Sequence, residues 1–429
     1  MLIEFQVENY LSFRDPVALS MLASNKISEH KDENIIPHKR TPLLKTAVIY
    51  GANASGKSNL LNSLVFMRGF VINSSKEGQT GEPINIKPFK LDVASLEQPS
   101  RFEVVFLLDE VRYRYGFEAT REMVVKEWLF KAPKIAEKAL FLRDGEDIDV
   151  SQEFTEGKRL EENTRSNALF LSVVANLNGK LSGQIIEWFR SINFVHGLHE
   201  RGHTLFSTSM LKDVECQDRL MDFIRKADFG IKDILVTDKK IDVSKEYPHL
   251  TEIERQVLTS RYQIDKRTSL HSVHNRYKDD QIFDTVTMDF EEEESEGTRK
   301  FFALIGPVLD CLNKGSILVA DEMESKMHPL LTRMIVRLFH SSKTNPKNAQ
   351  LIFATHDTNL LQNINFRRDQ IWFTEKTQQQ ATDLYSLAEI KLAKGAVRKD
   401  ASYEKDYFRG RYGAVPYLGE FEELLMEEE

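Results

Sequence analysis

The chain has 429 residues, 41% hydrophobic and 29% charged, with 66 acidic and 58 basic side chains giving a formal net charge of −8. This suits a globular protein of two or three domains, or one large α/β domain with insertions, and excludes a membrane-spanning chain, because no run approaches the ~20 apolar residues a spanning helix needs. Cys216 and Cys311 are too few for a disulfide framework or a zinc site, and the negative balance argues against general coating of nucleic acid while leaving room for a local basic groove.

The start, with Glu4 and no basic stretch, is not read as a secretion signal, and a reducing cytoplasmic setting is the expectation. Residues 1–14 read as an edge strand and a turn. Ala47-Val48-Ile49-Tyr50 is an apolar strand that runs into a small-residue loop at Gly51. Leu60, Leu61, Leu64, Val65 and Met67 then recur at helical spacing. Residues 102–108 and 113–117 flank Asp109-Glu110 as a hairpin, and 127–130 adds a third strand. Residues 160–190 and 210–229 read as helices. The segment 238–282 is mixed in charge, lacks periodicity and is expected to be irregular. Phe283 to Phe290 alternates as a strand, and a helix is expected from Ser295 to about Leu312. Ile317–Ala320 and Leu351–Ala354 are buried strands on either side of a helix at 331–340. Short apolar strands alternating with helices imply a parallel sheet covered by helices.

The strongest local signal is Gly51-Ala52-Asn53-Ala54-Ser55-Gly56-Lys57-Ser58, which fits G-x-x-x-x-G-K-[ST] between a strand and a helix. Its glycines let successive backbone N–H groups face a phosphate, and the helix N-terminus adds partial positive charge. Lys57 is expected to reach the β- and γ-phosphates of ATP, and Ser58 to ligate Mg²⁺. Ile317 to Glu322 is an apolar strand ending in two carboxylates: Asp321 for the Mg²⁺ shell and Glu322 as the general base. His356, at the mouth of the next buried strand, is placed to sense the γ-phosphate. Ser295-Glu296-Gly297-Thr298 opens a helix. Ser295 is a good N-cap there, and Ser295, Gly297 and Thr298 also form a surface suited to the nucleotide of a second copy of the chain.

In this set and order the sequence resembles the ABC-type ATPase heads of the SMC, RecF and overcoming-lysogenization-defect group. Thr298 and Arg299 depart from the Gly-Gln ending of that group's signature motif. Longer strings, LIEFQVENYLSFRD at 2–15, DEMESKMHPL at 321–330, FATHDTNLL at 353–361 and the tail 398–416, resemble RloA-type or AbiL-type bacterial phage-defence ATPases, whose relatives include the PARIS ATPase subunit. The resemblance implies an α/β ABC-type head in which a mixed, mainly parallel sheet with helices joins an antiparallel β-subdomain, together with a mainly helical insertion. It divides the chain into an N-terminal lobe at 1–120, an insertion at 121–282 with helical and β parts, a C-terminal lobe at 283–416 and an acidic tail at 417–429. It further implies ATP and Mg²⁺ as cofactors, a homodimer or higher homo-oligomer through the ATP sites, a separate effector such as a Toprim-type nuclease, and a phage protein as trigger.

No Toprim domain fits in the roughly 70 residues after His356. Residues 391–412 interleave seven basic side chains with Tyr403, Tyr407, Phe408 and Tyr412, a pattern open to a DNA or partner surface and to a structural cap. The leading expectation is a nucleotide-gated sensor of an abortive-infection system. A RecF-like DNA-repair ATPase is the alternative, and a scaffold that binds nucleotide without turning it over is the third reading.

Overall fold

The computed structural model describes residues 1–38, 41–77, 79–196, 200–262, 266–362, 364–392 and 395–416; the acidic tail at 417–429 lies outside them. In chain order, the main elements begin with β1 (Leu2–Glu8), β2 (Val17–Ser20), β3 (Thr46–Gly51), α1 (Lys57–Asn73), β4 (Ser100–Leu108), β5 (Val111–Ala119), β6 (Val124–Ala132), β7 (Lys138–Asp144) and β8 (Asp147–Val150). They continue with α2 (Phe170–Asn176), α3 (Lys180–Arg190), β9 (Ile192–His196), α4 (Glu200–Leu211), α5 (Val214–Lys226), β10 (Ile231–Lys240), α6 (Glu252–Tyr262), β11 (Lys266–Lys278) and β12 (Gln281–Asp289). The last are α7 (Glu296–Lys314), β13 (Ile317–Asp321), α8 (Pro329–His340), β14 (Gln350–Ala354), β15 (Ile371–Lys376), β16 (Thr382–Ser386) and α9 (Tyr403–Phe408).

The chain divides into two compact units. One comprises residues 1–196, 311–324 and 332–429. It holds two sheets: a seven-stranded antiparallel sheet in the order β8-β7-β6-β5-β4-β1-β2, and a six-stranded sheet in the order β9-β13-β14-β3-β15-β16. In the second sheet every pair is parallel except β15 with β16. Strands β3, β13 and β14 are buried at every position, which is why they read as unbroken apolar runs. Helix α1 turns Leu60, Leu64, Met67 and Val71 into one core with Phe102 and Phe117 of the antiparallel sheet and Val319 and Ile352 of the parallel one. The fold is therefore α/β: a mainly parallel sheet and an antiparallel sheet share a core with the helix that follows the Gly51–Gly56 loop.

Three expectations need correction. Strand β1 is not an edge, because β2 covers its outer side; β2, four residues long, is too short to announce itself. Residues 160–190 are not one helix: α2 stops at Asn176, and Asn178, at φ 69°, breaks the chain before α3. Residues 238–282 are not irregular, since they supply α6, all of β11 and the end of β10, and continue into β12.

The second unit comprises residues 197–310 and 325–331. Its three-stranded antiparallel sheet has the order β10-β11-β12. The strand expected from Phe283 to Phe290 is present as β12, which is exposed or half-exposed along its whole length. The inner face packs Ile234 and Phe290 against α5 and α7, with Phe229 and Phe301 at 5.3 Å and Phe290 and Phe302 at 5.1 Å.

Candidate nucleotide site

The parallel strands of the first unit all deliver their C-terminal ends to one side. Neighbouring strands there end in His196, Asp321, Ala354 and Gly51, and ligands of open parallel sheets bind at that end. The loop after β3 curls tightly. Ala54 adopts φ 61°, and Gly56, at φ 115°, begins α1. A side chain at Gly56 is forbidden by close approach: its Cβ would stand 2.2 Å from Thr382 Oγ1 and 2.6 Å from Thr382 Cγ2. The Thr382 hydroxyl donates to the Ser55 carbonyl at 2.8 Å and meets Ser12 Oγ at 2.8 Å, and Asn59 Nδ2 donates to the same Ser12 oxygen at 2.9 Å. Ser55 Oγ bonds Thr374 Oγ1 at 2.6 Å. The loop is thus braced by β15, β16 and the turn after β1.

Gly51, Ser55, Gly56 and Lys57 are buried, Ala52 and Ser58 half-buried, and Asn53 and Ala54 open to solvent. Lys57 Nζ donates to the carbonyls of Gly51 at 2.9 Å and Ala52 at 3.1 Å, folded into its own loop. Burial pulls its ammonium down to about 8, opposed by the charges of Asp321, Glu324 and Glu322. Burial also lowers His356, Lys57 reinforces that shift, and Glu322 and Asp321 oppose it. Lys57 and His356 are thus both within the electrostatic reach of Asp321 and Glu322.

Asp321 is 7% exposed, and its Oδ1 is buried without a hydrogen-bond partner. A bare buried carboxylate oxygen suits Mg²⁺, which takes one or two carboxylates and completes its shell with phosphate and water. Glu322 is half-buried at φ 51°, a strained backbone of the kind found at functional sites, and its N–H donates to the Ala354 carbonyl at 3.2 Å.

Ser295, Gly297 and Thr298 belong to the second unit. There Ser295 accepts from the Thr298 N–H at 3.1 Å and serves as the N-cap of α7. A Cβ at Gly297 would stand 2.9 Å from the Lys326 carbonyl.

Glu324, which the resemblance to ATPase heads places in a D-loop at Met323-Glu324-Ser325, accepts from the His356 N–H at 2.7 Å and so holds the tip of β14. Several other site residues carried no assignment in the sequence. Ser12, Thr374 and Thr382 brace the loop from far along the chain, beyond the reach of local patterns. A cavity of about 310 Å³ opens beside Ser12 and Asn59, lined further by Lys87, Phe89, Lys90 and Lys376. In the tail, Tyr403, Tyr407 and Tyr412 are buried, and Tyr407 stacks on Phe373 at 5.6 Å, so these rings cap the fold.

The strand, the glycine-rich loop and the helix that follows it are the elements of a P-loop domain, and the family match is to an AAA domain. Residues 47–362 match the family described as "AAA domain, putative AbiEii toxin, Type IV TA system", and the chain belongs to that family. No curated protein matches. Among solved structures, the SMC head domain from Thermotoga maritima is similar over 91% of this chain and 99% of its own, at 11% identity and a TM-score of 0.39. No described helix is long and apolar enough to cross a membrane.

Proposed function

We propose that this chain binds ATP on Gly51–Ser58 and hydrolyses it to ADP and phosphate, as the nucleotide-gated sensor of a cytoplasmic bacterial anti-phage system that controls a separate effector. The observation that carries this reading is the strand order that brings the end of β13, with the buried and unpartnered Asp321 Oδ1, beside the end of β14 and next to the loop that follows β3. The family description, which names a putative AbiEii toxin and a type IV TA system, supports the cellular role. The strings that resemble RloA-type and AbiL-type ATPases, a group whose relatives include the PARIS ATPase subunit, point the same way.

The N–H groups of the loop cradle the phosphates, and Lys57 leaves its carbonyls to reach the β- and γ-oxygens. Ser58 and Asp321 would hold Mg²⁺, which when bound would supply charge neutralisation for the phosphate oxygens. Glu322 takes a proton from the attacking water. The water oxygen bonds to the γ-phosphorus as the bond to the bridging β–γ oxygen breaks, and ADP carries the electron pair away. His356 donates to the γ-phosphate. The cavity at Ser12, Asn59 and Lys90 takes the ribose and base, which fits its place beside the first turn of α1.

Ser295, Gly297 and Thr298 close the site of a second copy. ATP thereby favours a homodimer, and hydrolysis releases it and the effector, a Toprim-type nuclease being the leading candidate and a phage protein the trigger. Nucleotide titration, turnover and size-exclusion chromatography test this. Lys57→Ala loses ATP binding. Glu322→Gln keeps binding, loses turnover by roughly 10²–10⁴-fold and accumulates an ATP-dependent dimer. Unchanged turnover in Glu322→Gln would remove Glu322 as the base.

A further inference from the structure

Strands β9 and β13 pair in parallel from Ile192 beside Ile317 to His196 beside Asp321. His196 therefore ends its strand at the same level as the buried carboxylate, with Nε2 3.7 Å from Asp321 Oδ2. The two oxygens of Asp321 differ sharply in surroundings. Oδ2 faces the imidazole, while Oδ1 is buried and bonded to nothing. The terminal torsion of an aspartate is broad and roughly two-fold, so burial alone does not decide which way the carboxylate plane turns. A donor fixed on a neighbouring strand does decide it, and a closing of roughly 0.8 Å turns the 3.7 Å approach into an ordinary hydrogen bond.

We propose that His196 is a positioning residue for the divalent cation: it holds Asp321 through Oδ2 and so presents Oδ1 to Mg²⁺. The proposal rests on the reading of Ser58 and Asp321 as the metal site. His196 has no contact with the nucleotide in this scheme. Nε2 donates in both the imidazolium and the Nε2–H neutral ring, so the role does not depend on the ring's charge. Outer partners of this kind, which orient a ligating carboxylate, are typically worth roughly 10–100-fold in metal affinity.

The test uses the full chain with Mn²⁺ as a paramagnetic probe at saturating ATP, its binding followed by electron paramagnetic resonance. ATP affinity in EDTA and thermal unfolding are measured alongside. His196→Ala weakens Mn²⁺ binding by roughly 10–100-fold with metal-free ATP affinity and unfolding temperature unchanged. His196→Gln, whose amide still donates, recovers most of the loss. Mn²⁺ binding within two-fold of wild type in His196→Ala overturns the proposal. So does a directly coordinated ¹⁴N signal that His196→Ala removes, because His196 would then be a ligand. Wild-type protein that binds Mn²⁺ no better with ATP than ATP binds it alone removes the metal-site reading, and the proposal with it. That failure shows in the wild-type titration, before any variant is made.

Discussion

Gly56→Ala isolates how the phosphate loop is held. The new methyl would meet Thr382 Oγ1 at 2.2 Å, Cγ2 at 2.6 Å and Cβ at 2.9 Å. Thr382 cannot swing aside cheaply: it is 3% exposed and its hydroxyl is engaged by the Ser55 carbonyl and Ser12. An alanine at φ 115° adds backbone strain of about 1–3 kcal/mol, and overpacking adds about 1–3 kcal/mol. The total, about 2–6 kcal/mol, is smaller than the ~5–15 kcal/mol that holds a typical domain together. The chain therefore stays folded while the loop relaxes into a shape that does not cradle phosphate. If restoring the cradle then requires ~3 kcal/mol, ATP affinity falls ~100-fold. Calorimetric ATP titration and thermal unfolding measure the two effects separately.

The companion variant Thr382→Ala deletes the two closest atoms at the loss of one hydrogen bond, about 1 kcal/mol. The double variant should therefore recover part of the Gly56→Ala defect, with a coupling energy of about 1–2 kcal/mol. Strictly additive effects, or full ATP affinity in Gly56→Ala alone, would refute the idea that contact with β16 sets the loop's shape.

Three further outcomes follow from other parts of the same unit. Glu127, 1% exposed, accepts from the N–H groups of Phe170 at 2.6 Å and Leu171 at 3.0 Å and from the Tyr115 hydroxyl at 2.9 Å, with Arg143 3.9 Å away; Glu127→Ala should destabilise the protein by about 3–5 kcal/mol in urea unfolding. Burial holds the His340 ring down to about 3, and Thr46, which accepts from Gln370 at 2.6 Å, donates to its Nε2 at 2.8 Å. Because the folded pKa lies below the unfolded one, this contribution to stability is complete above about pH 6.5 and lost as pH falls toward 3, at about 1.4 kcal/mol per pH unit. In His340→Gln the pH slope of unfolding free energy should drop by one proton, and an unchanged slope would contradict the assignment. Glu324→Gln keeps an acceptor for the His356 N–H and should preserve turnover, whereas Glu324→Ala frees that tip and lowers it, a contrast read in steady-state ATPase assays.

What was legible in the sequence follows from where each kind of information resides. β3, β13 and β14 are buried on both faces, so their apolar runs could be read directly, and the glycine and lysine spacing of the loop is itself a local pattern. The braces were not legible. Thr382 stands 327 positions from Ser55, and nothing in the polar neighbourhood of β16 distinguishes that hydroxyl from a solvated one. β10 and β11 escaped for a different reason, whereas β12 was read as a strand from Phe283 on. The two missed strands between them carry Thr, Asp, Lys and Arg among their apolar residues, so no regular pattern marks them.

The same contrast explains why the chemistry gathers where it does. A parallel sheet gives every strand the same sense, so its C-terminal ends share one rim whatever the distance between them in sequence. His196, Asp321, His356 and Gly51 come from segments spread over more than 300 residues, yet the order β9-β13-β14-β3 makes them neighbours along that rim. Each segment needed only a local feature, an apolar strand ending in a polar residue, to contribute one group. Their relation to one another is a property of strand order, which no single segment encodes. His196 illustrates the consequence: its own segment, Ile192-Asn193-Phe194-Val195-His196, is an ordinary strand, and only its register with Ile317–Asp321 gives the histidine a carboxylate to act on.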